Sequence, residues 1–159
     1  MKKEEVVKAL ILQLEKDLFV LRQAALATYD DATNEETKPE NKYDTRALEA
    51  SYLAGAQAGR VQDVAELLSL CKVLKVRNFT EADAIAIGAL VEVASNEKKS
   101  FLFFLPQGGG TWVQYEDQKI QVITPVSPLG KAFVGHFAGD EIVIQANLQK
   151  RTYEIISVI

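Results

Sequence analysis

Six acidic side chains crowd one short stretch of the chain: Asp30, Asp31, Glu35, Glu36, Glu40 and Asp44 lie between residues 29 and 44, against only Lys38 and Lys42. That segment carries −4, which equals the formal charge of all 159 residues, so the rest of the 22 acids and 18 bases balance. An acidic run at an exposed turn ordinarily keeps the turn solvated. A dense set of carboxylates in one place also gives the chain its only concentrated charge. A general DNA or RNA binder shows a basic face instead, and the sequence has none.

The other reactive groups are scattered. His136 is the only histidine and follows Gly135 in a turn, with no Cys or carboxylate cluster at metal-ligand spacing, which points to a surface residue. Cys71 is the only cysteine, has no internal disulfide partner, and is expected to be a small core residue in a reducing compartment. The run Pro106, Gln107, Gly108, Gly109, Gly110, Thr111, Trp112 lacks the Lys-Ser/Thr that follows a phosphate-cradling loop and reads as a connection. Trp112 is expected to be partly buried, with an exposed contact role as the alternative. No Ser-His-Asp or Cys-His set assembles, so the chain is not expected to carry a complete enzyme active site.

These groups must be positioned by two kinds of element. From about residue 4 to 28 the pattern is one helix: Val7, Ile11, Leu14, Leu18, Leu21, Ala25 and Thr28 alternate spacings of four and three, a coiled-coil seam. A second helix, from about 44 to 74 with Asp44 as a possible cap, continues that spacing through Ala50, Ala54, Gln57, Val61, Val64, Leu68 and Cys71. The polar stretch 29–44, with Pro39, reads as a loop or frayed helix ends. Two such helices joined by a short connection fold back as an antiparallel pair, each arm on the order of 40 Å long.

Beyond residue 78 the apolar residues become β-branched and aromatic. Segments 84–94, 100–105, 119–124, 141–146 and 152–158 read as strands. Asn96 to Lys99 reads as a hairpin turn, Gly139–Asp140 as another turn. Ser127 caps a short helix that has Pro128 at its first position. The expected architecture is α+β: an antiparallel coiled-coil hairpin over 1–76, then a small antiparallel sheet domain with one short helix over 78–159. Hydrophobic residues at 48% suffice for a core. The N-terminal residues lack the pattern of a secretory signal, which leads to a cytoplasmic expectation, and no apolar run approaches the roughly 20 residues that span a bilayer.

The run Ile123 to Gly135, with Ser127, Pro128, Leu129 and Gly130 in it, is followed by Gly139–Asp140–Glu141 and Tyr153–Glu154–Ile155. In order and spacing it resembles the C-terminal domain of the Gre transcript-cleavage factors (GreA and GreB). Gly59–Arg60–Val61 also resembles that family's Gly-Arg-Ile in its second helix. The resemblance implies a domain of FKBP-like fold that grips bacterial RNA polymerase, with Ser127, Pro128 and Leu129 as the docking segment. It also implies that the hairpin enters the polymerase's secondary channel. There tip acids help hold a Mg²⁺ ion shared with the polymerase active site, which itself cleaves backtracked RNA. Mg²⁺ prefers oxygen ligands and accepts one or two carboxylates beside phosphates and water.

The tip departs from the family's pattern, an Asp followed shortly by Ser-Glu-Asn. Pro39–Glu40–Asn41 is the nearest match, whereas counting back from Gly59 places the family's Glu near Tyr43. Glu40 or Asp44 is therefore the candidate metal-facing acid, with Asp30, Asp31, Glu35 or Glu36 assisting. Two other outcomes stay open: a secondary-channel regulator without cleavage activity, and a prolyl isomerase, chaperone or other interaction module. An isomerase would need a pocket built from Phe101, Phe103, Phe104, Trp112, Tyr115, Phe133 and Phe137.

Overall fold

The computed structural model describes residues 1–33, 46–96, 98–146 and 149–159. Two long helices come first, α1 (Lys3–Thr33) and α2 (Arg46–Val73). Six strands and one short helix follow: β1 (Leu90–Ser95), β2 (Lys98–Phe104), β3 (Trp112–Tyr115), β4 (Gln118–Ile123), α3 (Pro128–Phe133), β5 (Glu141–Ala146) and β6 (Gln149–Val158). The fold is α+β. The chain divides into two compact units, one formed by Met1–Leu10 with Val73–Ile159, the other by Ile11–Lys72.

In the helical unit every described seam position is buried or half-buried. Leu14, Leu18, Leu68 and Cys71 are buried, and Ile11, Leu21, Ala25, Thr28, Ala50, Ala54, Gln57, Val61 and Val64 are half-buried. Most residues between them are exposed, as a 3.5-residue repeat demands, although Leu67 beside Leu68 is buried as well. Lys72 Nζ lies 2.7 Å from Glu15 Oε1, and Leu26 and Tyr29 line one groove with Ser51 and Gly55, so the two helices run antiparallel. Helix α1 continues to Thr33, past the expected end near residue 28. No Gly or Pro interrupts it before that point, and Asp30 and Asp31 therefore sit on a helix. Burial pushes the Cys71 thiol up to about 11, which keeps it protonated and unreactive at neutral pH.

In the other unit the strands lie in the order β3-β4-β2-β1-β6-β5. All pairings are antiparallel except β2 with β4, which are parallel and register Phe101 with Ile120. Strand β3 was not expected. Its Trp-Val-Gln-Tyr alternation is only four residues long, and the turn after it places Glu116 at φ 51 without a glycine or asparagine to announce it. Residues 84–89 were expected to open a strand, yet β1 begins only at Leu90 and these residues bond irregularly: Ile85 N–H donates to His136 O (2.8 Å), Gly88 N–H to Phe104 O at the end of β2 (2.7 Å), and Ala89 N–H closes a turn on Ala86 O (3.0 Å). Gly88 at φ +90 breaks the extended path just before β1 begins.

One sheet face packs Ala89, Val91, Val93, Leu102, Phe104, Ile123 and Ile155 with Phe133 of α3. On the alternate positions Leu90, Phe103, Ile120 and Val122 are also fully buried, so both faces are covered. Val6 and Leu10, at the start of α1, are fully buried in the same unit. Lys3 ties that helix start down. Its ammonium donates to the carbonyls of Arg77, Gly88 (2.9 Å) and Ile159 (2.6 Å) and lies 4.6 Å from the Phe79 ring centroid. Burial lowers this lysine to about 8; Glu4 opposes the shift and Arg77 adds to it. Among the described residues, no helix is long and apolar enough to cross a membrane.

Candidate functional site

The short helix after β4 is built residue by residue from its cap. Ser127 takes an extended conformation, φ −67 and ψ 155, and its Oγ accepts from Gly130 N–H at 3.0 Å while donating to Thr124 O at 2.8 Å. Pro128 occupies the first helical turn, where its missing N–H has no intrahelical partner to lose. Gly130 is required by a close approach: a Cβ built there would lie 1.9 Å from Thr124 O. The cap, the proline and the glycine fix the turn, with Pro128 exposed and Ser127 and Leu129 half-buried.

Beside this turn runs a groove of about 370 Å³ lined by Gly109, Gly110, Thr124, Ser127, Pro128 and Leu129, among others. The glycine loop is a structured wall. Gly110 N–H donates to Val122 O (3.0 Å), and a Cβ on Gly109 would come within 3.2 Å of Thr124 Cγ2. Its glycines thus allow close packing on the segment that leads to Ser127.

On the far side of α3, Asp140 organises the second turn. Its Oδ2 accepts from Phe137 N–H at 2.9 Å and faces His136 Nδ1 at 3.1 Å. These contacts, the backbone N–H first, hold its carboxyl below the usual carboxylate range. His136 is exposed, as its place in a turn suggested.

The acidic candidates lie elsewhere in the chain. Asp30 is exposed on the last turns of α1, and Asp31 follows it in the helix. Glu35, Glu36, Glu40 and Asp44, including both metal-facing candidates, lie outside the described residues. Among the described residues, no group of three or more His, Cys, Asp or Glu side chains could hold a metal ion. The structure therefore sets Ser127, Pro128 and Leu129 on one capped turn, whereas of the candidate acids only Asp30 and Asp31 fall within the described residues. Of the aromatics named for an isomerase pocket, Phe103, Phe104 and Phe133 are fully buried, whereas Trp112 and Phe137 are about 40% exposed (41% and 42%).

Residues that sequence reasoning passed over line a second groove next to Leu129, with Lys98, Gln121, Arg151 and Tyr153 around Trp112. The signal for it was the alternation along β3 and β6, which puts these side chains on one face, but finding it required the register of four strands.

Comparison with known proteins gives these features a context. Residues 80–159 match the family described as "Transcription elongation factor, GreA/GreB, C-term". Among curated relatives, transcription elongation factor GreA of Halorhodospira halophila is 30% identical over 100 residues, 63% of this chain and 61% of that protein. The chain thus spans less than two thirds of that relative and of three similar ones. GreA of Francisella tularensis subsp. novicida is 27% identical over 95% of this chain and 90% of its own. Among solved structures, GreA factor homolog 1 (Gfh1) of Thermus thermophilus aligns over 96% of each chain at 20% identity, with a TM-score of 0.39.

Proposed function

Because the chain belongs to the GreA/GreB transcription elongation factor family, we propose that it binds bacterial RNA polymerase at the secondary channel and modulates elongation. The sheet unit supplies the affinity, through Ser127, Pro128 and Leu129. The observation that carries this reading is the capped helix start itself, an exposed proline held on a turn that Ser127 and Gly130 make rigid. A preorganised turn loses little freedom on binding.

The acids between Asp30 and Asp44 then act at the polymerase active centre, where Glu40 and Asp44 would be the residues to hold a shared Mg²⁺. Such an ion supplies charge neutralisation at the attacking and leaving oxygens, and the chemistry is the polymerase's own. The departure of the tip from the family's Asp and Ser-Glu-Asn pattern favours a second reading, a channel-occupying regulator that does not stimulate cleavage.

RNA cleavage in stalled, backtracked elongation complexes separates the two. Faster 3′-end cleavage in the presence of the chain supports the first, and Ala substitution of Asp30, Asp31, Glu35, Glu36, Glu40 and Asp44 then identifies the acid. Competition against an authentic Gre factor without cleavage supports the second. Neither effect removes both.

A further inference from the structure

The groove around Trp112 holds about 420 Å³ and lies on the sheet face that also carries α3. Strand register explains its lining. Trp112 pairs with Gln121 and Gln114 with Lys119, so these four share one face; Gln121 pairs in turn with Leu102, a core residue of that face. Lys98, opposite Ser95, and Arg151 and Tyr153, which alternate with Thr152 toward Ile155, complete the wall.

Its charge is one-sided. Lys98 and Arg151 line it, and Lys119 Nζ sits 4.5 Å from the centroid of the Trp112 ring. No Asp or Glu occurs among its described lining residues. The strand acids Glu92 and Glu154 alternate onto the opposite face, where Glu92 pairs with Lys99 at 2.8 Å. A locally positive groove in a chain of net charge −4 is a reversal of the molecule's overall field.

The cation is also supported from below. Arg151 Nη1 donates to Tyr153 Oη at 3.5 Å, and the Tyr153 ring meets fully buried Phe133 edge-on, 5.6 Å between centroids at 71°. An aromatic stack therefore rises from the core to the guanidinium. Trp112 and Leu129 offer apolar surface beside it, and Leu129 and Gln121 also line the groove next to Pro128.

We propose that this groove receives an acidic side chain, flanked by an apolar one, from the surface segment of the polymerase on which the Ser127–Leu129 turn docks. The proposal rests on the docking reading above and adds its chemistry: a carboxylate meets Arg151 and Lys98 while the apolar neighbour lies on Trp112 and Leu129. A protein segment fits better than a free anion because the two grooves are continuous through Gln121 and Leu129. Only an extended occupant covers both.

The test is equilibrium binding of the full chain to RNA polymerase at two ionic strengths. Arg151→Glu and Trp112→Ala should each weaken binding by about tenfold. Arg151→Gln should weaken it less and flatten its salt dependence, an effect that a purely structural role would not produce. Lys99→Gln, on the opposite face, should bind like the parent. If Arg151→Glu and Arg151→Gln, folded by circular dichroism, bind like the parent while Pro128→Asp does not bind, the groove inference is overturned and the docking reading stands. Absence of binding by the parent chain overturns both. Trp112 is the only tryptophan, so saturable quenching of its fluorescence by ATP or inorganic phosphate, lost in Arg151→Glu, would instead assign a small-anion site and overturn the proposal.

Discussion

Phe103, Phe104 and Phe133 of the sheet unit have no exposed surface, whereas Phe19, Leu26, Tyr29, Tyr52 and Leu53 of the helical unit each leave more than half of theirs in solvent. The difference extends to single atoms. A methyl group added at Gly130 would strike the Thr124 carbonyl, but one added at Gly55 or Gly59 of α2 would meet nothing within 4 Å. The sheet unit is specified by particular contacts at particular residues. The helical unit is specified by a repeat, in which each position does a small and similar share. Where specificity is local, one substitution should remove it; where it is distributed, one substitution should only trim it.

The largest effect should come from Gly130→Ala, which forces the helix start away from Thr124 and should cost about 3 kcal/mol or more in urea unfolding. A loss under about 1 kcal/mol would mean the turn adapts and is not the rigid platform described above. Lys3→Met should come next. It removes the ammonium that bonds the carbonyls of Arg77, Gly88 and Ile159, of which Ile159 O keeps the Leu90 N–H as donor, with a loss of about 2–3 kcal/mol and a lower melting temperature.

The helical unit should respond in the other direction. Gln57 sits in the α2 seam, and its Oε1 is buried without a hydrogen-bond partner. Gln57→Leu should therefore stabilise that unit by about 1 kcal/mol, read as slower amide exchange in α1 and α2. Destabilisation there would show that the polar seam position contributes to register after all.

The smallest effect concerns pH. Asp140 has a lowered folded-state value, so its contribution is present above the ordinary carboxylate range of about 4 and is lost as pH falls through the lowered value. Asp140→Asn should flatten the acid limb of a stability-versus-pH curve and leave neutral pH nearly unchanged. An unaltered acid limb would mean that the Phe137 and His136 contacts do not favour the charged form.

Much of this was legible in the sequence because its signals are local. Ser127 before Pro128 announced both the start of α3 and its cap, and the alternation of fours and threes from Ile11 to Cys71 picked the seam side of both helices in the helical unit. What escaped depended on distant partners. The Lys3 ammonium bonds residues 74 to 156 positions away, which no window of sequence can report. Strand β3 was hidden by a turn made from Glu116 and Asp117 rather than glycine, and the Trp112 groove emerges only from the register of four strands. The acids of the tip are a different case: they are prominent in composition, but charge alone does not choose among Asp30, Asp31, Glu35, Glu36, Glu40 and Asp44.

The most direct test of the account is co-purification of RNA polymerase with the parent chain and with Pro128→Asp, whose exposed side chain touches the docking turn and not the core. The account predicts that polymerase is retained by the parent and lost by a Pro128→Asp variant whose circular dichroism and melting temperature match the parent. Equal retention by the folded variant would contradict it, and would move the docking surface away from the Ser127–Leu129 turn.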